Sequence, residues 1–452
     1  MRVSSLTADL THGPLRTQIL VFSLPLMLSN ILQVLFNMSD IAVVGRFAGA
    51  EALGSVGSTA MLVTLFTTFL IGVGAGINVV TARFLGERNY RAVNEAVHTA
   101  CVLSLIIGLV MFAFGQAITR PILELLGTKD VLIGGAERYL RVYWCGLPAL
   151  ALFNFGSAVL SASGDTRNPL YILMIAGALN ILLNLLFVIA FGMGVIGVGL
   201  ASALSQCLSA VLVLYALTHK EHACRLDIHS LRVVPGQARE ILRLGLSSGF
   251  QNAVFYIANL FIQAALNTFD AVTVEGASAA ANADSLLYDM MAAVYTACAS
   301  FMSQNLGARD RKRTIRSFRI TLCYSFGSAL LVSGLLLVFG RQFLALFTTE
   351  AAVIDAGMLR LRVMAMSYAF SAFMDNTIAA SRGIGKTAVP TVMVILGSCV
   401  FRVLWICTVF RYFHTVESLY LLYIFSWAVT AIGEFAYFLP SWRKVCKTYF
   451  GE

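Results

Sequence analysis

The chain has 452 residues, of which 58% are hydrophobic and only 12% are charged. About a quarter of the residues of an ordinary soluble protein are charged, so this composition excludes one and indicates an integral membrane protein. The formal net charge of +9 would favour a nucleic-acid partner only if the basic residues clustered on one folded face, whereas they lie between apolar segments. We therefore expect no nucleic-acid partner and a chain that lies in the lipid bilayer.

Twelve apolar segments are long enough to cross a membrane, since a spanning helix needs about 20 residues. In chain order, the predicted helices are 17–45, 52–82, 92–116, 136–162, 170–191, 197–218, 244–268, 276–305, 316–340, 357–381, 388–410 and 417–439. The sequence thus predicts an all-α integral membrane protein. The nine cysteines are scattered without the spacing of a zinc site or a disulfide framework, and we expect no metal site and no cofactor.

Lysine and arginine are distributed unevenly between the two sets of loops. They are frequent around 83–91, 309–319 and 443–447 and rare in the alternate loops. Short cytoplasmic loops carry the excess of Lys and Arg in membrane proteins. We therefore expect a multi-pass protein of the cell (inner or plasma) membrane with both termini in the cytoplasm.

The sequence repeats itself at an offset of 221 residues. Residues 85–89 (LGERN) recur as 306–310 (LGARD), and Gly164 recurs as Gly385. Each half holds six predicted helices, an even number, so both halves enter the membrane in the same direction and are related by a pseudo-two-fold axis along the membrane normal. The predicted organisation is an N-terminal lobe at 1–218, a polar cytoplasmic linker at 219–243 and a C-terminal lobe at 244–452.

Carboxylates within spanning segments are candidates for function, because a charged side chain in hydrocarbon costs about 3 kcal/mol or more. Asp40 is the leading candidate, since a buried carboxylate can carry a proton across the membrane or coordinate a desolvated cation. Asn180 and Asn184 are spaced i and i+4, and could meet Asp40 and Asn154 in a polar pocket. The alternatives are a capping role for Asp40 and plain interhelical hydrogen bonds for the asparagines.

The second half carries more charge within its spans. Counting residues along the helices puts Arg402 at the depth of Asp284 and Asp289, which predicts a buried ion pair between Arg402 and one of the two. That pair either only stabilises the lobe or leaves the other acid free to titrate. For Asp375 and Glu434, which lie nearer the membrane surface, contact with water favours a role without special chemistry.

Aromatic and methionine side chains of the second half could line an adaptable cavity for flat organic cations, although such residues are usually core or lipid-facing. The candidates are Phe255, Tyr256, Tyr288, Met290, Met291 and Tyr295. The linker residues His219, His222, Cys224 and His229 match no metal-binding template, and we expect a solvated loop there.

These residues resemble the multidrug and toxic compound extrusion (MATE) transporters, in particular the bacterial branch similar to DNA-damage-inducible protein F. The resemblance runs nearly end to end and rests on short motifs. They are Pro25 followed by Asn37-Met-Ser-Asp40, SGDTRNP at 163–169, GMGVIG at 192–197, QNLGA at 304–308 and RGIGKT at 382–387. The resemblance implies twelve helices in two lobes, a central cavity, and export of organic cations in exchange for protons or sodium. It also implies a first-lobe cation site at Asp40, Asn154, Asn180 and Asn184.

The chain departs from the family pattern at several positions. Many members carry an aspartate where this chain has Asn184, and the loss of that charge favours proton coupling with Asp40 as the main first-lobe acid. The acid that some members carry in the segment corresponding to 244–268 is absent here. Gln251 and Asn259 are among the nearest polar residues and become candidate substrate contacts.

We expect a secondary antiporter that exports organic cations in exchange for protons or sodium by alternating access, and that acts as a monomer. The alternative is a flippase for a lipid-linked intermediate, which would need basic side chains in the cavity, where Arg402 is the clear candidate. A membrane-embedded transferase would need acids and histidines clustered at one membrane face. The six histidines do not cluster in this way, so we expect no enzyme.

Overall fold

The computed structural model describes residues 9–219 and 223–451, and this part of the chain is helical, without a strand. The helices are α1 (Leu15–Phe47), α2 (Ala50–Gly86), α3 (Tyr90–Leu125), α4 (Asp130–Trp144), α5 (Leu147–Ala162), α6 (Arg167–Ala190), α7 (Gly194–His219), α8 (Pro235–Leu266), α9 (Ala271–Gly307), α10 (Arg311–Leu344), α11 (Ala351–Gly383), α12 (Ala388–Phe413) and α13 (Val416–Phe450). The helix α6 ends in a π-helical segment, Leu186–Ala190, and α12 contains two, Ile395–Val400 and Ile406–Phe410.

Nine of the helices in the described ranges are long and apolar enough to cross a membrane, and α4 with α5 forms a tenth span that is bent by 47°. The helices α8 and α11, with 32 and 33 residues, are equally long but more polar. With the ten spans just described, these two helices make up the twelve predicted spans, which confirms the all-α membrane fold. The bend lies just before Pro148, because proline has no N–H for the helical ladder and its ring clashes with the preceding turn.

The helix α8 begins within the segment predicted as the linker. The predicted linker ends at residue 243, but α8 already begins at Pro235, and proline is favoured at the first helical position because its missing N–H would have no partner there. The stretch before Pro235 contains one 3₁₀ turn, Ile228–Ser230. His222 lies outside the described residues.

The sequence repeat reappears in the backbone. Arg88 and Arg309 both adopt the left-handed conformation, with φ of 53° and 57°. The next residues, Asn89 and Asp310, cap α3 and α10, and each side chain accepts a backbone N–H three residues on, at 3.1 and 2.8 Å. The repeated segment is thus a repeated helix-to-helix turn.

Among the described residues, one compact unit contains Leu24–Gly249 together with Asp9 and Leu10. Its core includes Trp144, which stacks on Phe66 with 4.5 Å between ring centroids and donates its indole N–H to the hydroxyl of Thr119 at 2.9 Å. We call it unit 1.

Two glycine pairs hold the first part of α8 against α2 within unit 1. A Cβ atom on Gly72 would lie 2.5 Å from the backbone of Gly249, and one on Gly76 would lie 2.3 Å from the backbone of Gly245. Both helices therefore present a small-xxx-small stripe, which lets helices approach closely in membranes. Two turns further along α2, Arg83 donates to both carboxylate oxygens of Glu240, at 2.7 and 2.6 Å.

The second compact unit, unit 2, contains Phe250–Glu452 together with Thr11–Ser23. Within it, the guanidinium of Arg313 donates to the carbonyls of His12 and Gly13 and to the side chain of Gln18. The first residues of α1 thus belong to unit 2 and the first residues of α8 to unit 1. The predicted lobe boundaries at 218 and 244 remain a prediction.

Candidate ion-coupling site

A ring of hydrogen bonds surrounds Asp40 in unit 1. The amide of Asn184 donates to one carboxylate oxygen of Asp40, and the hydroxyl of Ser202 donates to the other at 3.3 Å. Asn184 also donates to the amide oxygen of Asn180 at 3.2 Å, and Asn180 lies 3.5 Å from Ser202. Side chains from α1, α6 and α7 thus close a ring around one carboxylate.

The partners of Asp40 in the ring are buried, whereas Asp40 itself is half-buried. Asn184 is fully buried, and Asn180 and Ser202 are 6% and 5% exposed. One amide oxygen of the ring, Oδ1 of Asn184, has no hydrogen-bond partner among the described residues. A buried acceptor without a partner costs free energy, and such groups often mark a site that takes up another ligand.

A glycine brings α1 close enough to α6 to form this ring. A Cβ atom on Gly177 would lie only 1.9 Å from the ring of Phe36, which packs where that side chain is missing. Phe36 and Asp40 are one turn apart on α1, and Gly177, Asn180 and Asn184 share one face of α6. The contact at Phe36 therefore fixes where Asp40 meets the asparagines.

The backbone of α6 changes its hydrogen bonding directly after the site. The π-helical segment Leu186–Ala190 begins two residues after Asn184. Such segments insert one extra residue per turn and occur frequently at functional sites.

Of the four residues predicted for this site, the structure brings Asp40, Asn180 and Asn184 together but not Asn154. The amide of Asn154 donates to the carbonyl of Leu150 in its own helix at 2.9 Å, and its side chain lies at a small space between α2, α3 and α5. A role for Asn154 in ion coupling stays a prediction.

Three neighbours of Asp40 are not predicted by the sequence. Ser202 closes the ring, and the charge of Asp40 acts on the buried residues Tyr139 and Tyr143. Serines are common in membrane helices, where they usually bond to their own backbone, as Ser205 does at 2.7 Å. Only the helix packing distinguishes Ser202 from such serines.

The predicted ion pair of Arg402 with Asp284 or Asp289 is wrong. Asp284 pairs instead with Arg360, with 2.6 Å between Nη2 and Oδ2, and accepts a hydrogen bond from the hydroxyl of Tyr368. Both Asp284 and Arg360 are largely buried, with side chains 16% and 10% exposed. Residue counting gives depth but not direction around the helix axis, and therefore missed Arg360.

Arg402 is fully buried, and its direct hydrogen-bond partners are neutral. Its Nη1 donates to the amide oxygen of Asn259 at 2.7 Å and its Nε to the hydroxyl of Ser426 at 3.3 Å. The rings of Phe255, Tyr423 and Trp427 surround the guanidinium. The structure thus joins two predicted residues, Arg402 and Asn259, in one cluster.

None of the other predicted residues of the second half forms a hydrogen bond with Arg402 in the described part of the chain, although the charge of Asp375 acts on Arg402. Asp375 accepts a hydrogen bond from Ser371 on its own helix at 2.9 Å, and Gln251 accepts one from Thr391 at 3.3 Å. Asp289 is partly buried, and Tyr288 is 44% exposed. Their roles stay predictions.

Glu434 differs from expectation, because its side chain is completely buried rather than in contact with water. Neither of its carboxylate oxygens has a hydrogen-bond partner among the described residues. Within the same part of the chain, no three His, Cys, Asp or Glu side chains come together to hold a metal ion.

Comparison with known proteins identifies the family. The family model MatE matches residues 25–186 and 248–407. The chain is 29% identical to Probable multidrug resistance protein YpnP of Bacillus subtilis over 80% of this chain and 81% of the relative. It is 24% identical to a protein of Shewanella oneidensis named FAD transporter, over 76% and 77% of the two chains.

Solved structures show the same fold. A MOP superfamily transporter from Pyrococcus furiosus superposes with a TM-score of 0.90 at 22% identity, covering 98% of this chain and 99% of the other. An outward-facing multidrug resistance MATE family transporter gives the same TM-score, identity and coverage. Because the family model covers more than half of the chain, in both halves of the repeat, the protein belongs to the MatE family of multi-pass membrane transporters and is not an enzyme.

Proposed function

We propose that the protein is a secondary antiporter that exports small organic cations in exchange for protons, with Asp40 as the proton carrier. The observation that carries the proposal is the closed ring around this one carboxylate. Relatives are named for multidrug resistance in some cases and for FAD in one, so their names do not fix the cargo. The proposal therefore rests on the residues of this chain.

The ring can accommodate Asp40 in either charge state. As a carboxylate, Asp40 accepts hydrogen bonds from Asn184 and Ser202. As a carboxylic acid it has an O–H to donate, and Oδ1 of Asn184 is a buried acceptor without a partner among the described residues. Rotating the amides of both Asn184 and Asn180 by half a turn presents the Asn184 oxygen to Asp40 and keeps a hydrogen bond between the two amides. Proton uptake thus reverses the direction of hydrogen bonds in the ring.

The same geometry supports a proton over sodium. A sodium ion is bound by oxygen atoms, whereas both oxygens of Asp40 here face donors, the N–H of Asn184 and the O–H of Ser202. An ion at this point would have to compete with both donors. A proton requires only that the two amides of the ring turn in place.

Protonation would weaken the hold of α1 on its neighbours. Hydrogen bonds to a charged carboxylate are roughly twice as strong as those to a neutral group, so neutral Asp40 binds α6 and α7 less tightly. The adjacent π-helical segment gives α6 a place to adjust. We propose that this change couples proton uptake from outside to release of the cargo in alternating access, in a monomer with both termini in the cytoplasm.

Transport by purified protein in lipid vesicles tests the proposal. Ethidium movement is measured under a proton gradient and, separately, under a sodium gradient, for wild type, Asp40→Asn and Asp355→Asn. Asp355 is a matched control, since its side chain is 62% exposed and forms only a surface ion pair with Arg341.

We expect the proton gradient to drive transport in wild type and in Asp355→Asn, and to drive none in Asp40→Asn. Equal thermal unfolding of the three proteins would show that the loss is not misfolding. Full proton-driven transport by Asp40→Asn would contradict the role of Asp40. Transport driven by sodium alone would contradict proton coupling.

A further inference from the structure

Unit 2 contains a fully buried acid whose oxygens make no hydrogen bond. The side chain of Glu434 on α13 is 0% exposed, and both of its carboxylate oxygens lack a partner among the described residues. An ionised carboxylate is strongly disfavoured at such a place, because burial removes its water and no donor replaces it. The neutral acid avoids most of that cost, so the surroundings of Glu434 favour its protonated form.

Two charged side chains of α11, Asp375 and Arg382, act on Glu434. Asp375 is the acid better suited to stay ionised, because the hydroxyl of Ser371 donates to it at 2.9 Å and the charges of Arg382 and Arg402 act on it. Two nearby carboxyl groups rarely ionise together, since like charges repel. Glu434, which has no donor in the described part of the chain, is therefore the acid that holds a proton.

Arg382 offers Glu434 a partner that is not used in this conformation. The Nε of Arg382 is buried and makes no hydrogen bond among the described residues, although its charge acts on Glu434. An ionised carboxylate and a guanidinium form strong, charge-assisted hydrogen bonds. Loss of the proton from Glu434 would therefore draw the two side chains together.

The other helices near Glu434 bring further titratable groups to this cluster but not to Glu434 itself. The helix α10 meets α13 through the rings of Phe318 and Phe438, whose centres are 5.0 Å apart, and Phe438 is one turn from Glu434. The groups of α9 and α12 that face the cluster act on Asp375 or on Arg382, and they are Tyr288, Tyr295 and Arg402.

The cluster suits a proton better than a metal ion. A metal ion needs several oxygen ligands, and in the described ranges no three His, Cys, Asp or Glu side chains come together. The positive charge of Arg382 would also repel a bound cation. A proton needs only one oxygen, and Arg382, half-buried at the last residue but one of α11, places the acid one side chain away from the end of that helix.

We infer that Glu434 is a second proton-binding residue of the antiporter, protonated in this conformation and paired with Arg382 once the proton has left. The inference rests on the proposed function and adds its stoichiometry, which is two protons for each organic cation, one on Asp40 and one on Glu434. Exchange of two protons for one monovalent cation moves a net positive charge across the membrane. Exchange of one proton for such a cation moves none.

Infrared spectroscopy of the purified protein tests the proton on Glu434 without any transport, because a carboxylic acid has a C=O band that a carboxylate lacks. Spectra are recorded over a pH titration for wild type, Glu434→Gln and Arg382→Gln. Glu417→Gln is the matched control, since Glu417 is an exposed glutamate of the same helix.

We expect a C=O band that is lost as the pH rises, in wild type and in Glu417→Gln, and that is missing from Glu434→Gln. Arg382→Gln should keep this band down to an about tenfold lower proton concentration, because ionised Glu434 then has no partner. A band that stays in Glu434→Gln, or that does not change with pH in wild type, overturns the inference.

Transport in vesicles tests the stoichiometry, with the pH equal on both sides and a membrane potential set by potassium and valinomycin. We expect the potential alone to drive ethidium toward the positive side in wild type and in Glu417→Gln, opposite to its passive movement, because two protons move the other way. Glu434→Gln should still transport ethidium under a proton gradient but not under the potential alone. Asp40→Asn should do neither.

The outcomes separate this inference from the proposed function. Transport that does not depend on Asp40, or no proton-driven transport by wild type, contradicts the proposed antiport, while the infrared titration still decides whether Glu434 binds a proton. Asp40-dependent transport with an equal response of wild type and Glu434→Gln to the potential overturns only the role of Glu434. If Glu434→Gln does not fold, the pH at which Arg382→Gln loses the band decides, and an unchanged pH overturns the inference.

Discussion

The contact of Gly76 in α2 with Gly245 in α8 leaves no room for a methyl group. A Cβ atom at residue 76 would lie 2.3 Å from the backbone nitrogen of Gly245, about 1 Å closer than ordinary contact. Backbone atoms cannot rotate out of the way as side chains do, so Gly76→Ala must push the two helices apart. Overpacking costs about 1 to 3 kcal/mol, and we expect the upper end here.

The matched control is Gly57→Ala in the same helix, because a Cβ atom at residue 57 would have no atom within 4 Å. At an unhindered helical position alanine is favoured over glycine by up to about 1 kcal/mol. Thermal unfolding in detergent, followed by tryptophan fluorescence, compares the two. A loss of about 3 kcal/mol corresponds to a decrease in Tm of roughly 6 to 12 °C for a unit of this size.

We therefore expect Gly76→Ala to unfold several degrees below wild type and Gly57→Ala at or above it. Equal Tm values for the two alanine variants would refute the reasoning, because they would mean that α2 and α8 are not in backbone contact. A decrease in both would point to glycine flexibility rather than to packing.

Three further predictions follow from single contacts. Arg360→Ala leaves the carboxylate of Asp284 buried without its guanidinium and should destabilise the protein by about 3 to 5 kcal/mol, whereas adding Asp284→Asn should recover part of the Tm. Gly177→Ala should displace Phe36 and slow proton-driven transport severalfold, and Phe36→Leu in the same chain should restore it. A serine hydroxyl and a backbone N–H that donate to Asp227 lower the pKa of its carboxyl, so the linker turn is stabilised above the ordinary aspartate pKa of about 4 and loses this support as the pH falls. The backbone N–H of His229, which donates to Asp227, should therefore exchange with solvent faster in Asp227→Asn than in wild type at pH 5, and the difference should shrink as the pH falls.

The sequence was sufficient for the spans and for most of the ring around Asp40. Apolar length identifies a spanning helix, and a carboxylate within one is costly enough to indicate a function. The i, i+4 spacing of Asn180 and Asn184 put two amides on one face of α6, and the structure brings both to Asp40. Composition and local spacing thus predict those features of the site that lie within a single helix.

The remaining features depend on how helices pack, which local patterns do not encode. Equal depth predicts a pair of Arg402 with Asp284 or Asp289, but depth leaves the direction around each helix axis open. The partner of Asp284 is Arg360. Ser202 has no local signal, and the glycine pairs are visible only once α2 and α8 are adjacent. Each of these features requires two helices to be placed.

The two halves of the internal repeat resemble each other more in backbone conformation than in the charges of their buried side chains. The left-handed turns at Arg88 and Arg309 recur with their caps, and the π-helical segments Leu186–Ala190 and Ile406–Phe410 lie at nearly the same offset. These backbone features depend on glycines, helix caps and helix packing, and a substitution that disrupts one of them lowers the stability of the protein. A polar side chain in a buried site can be replaced by a different polar side chain without such a loss, provided that the new side chain finds hydrogen-bond partners. Hence the buried cluster around Asp40 in unit 1 and the one around Arg402 in unit 2 can carry charges of opposite sign, although the turns and π-helical segments recur.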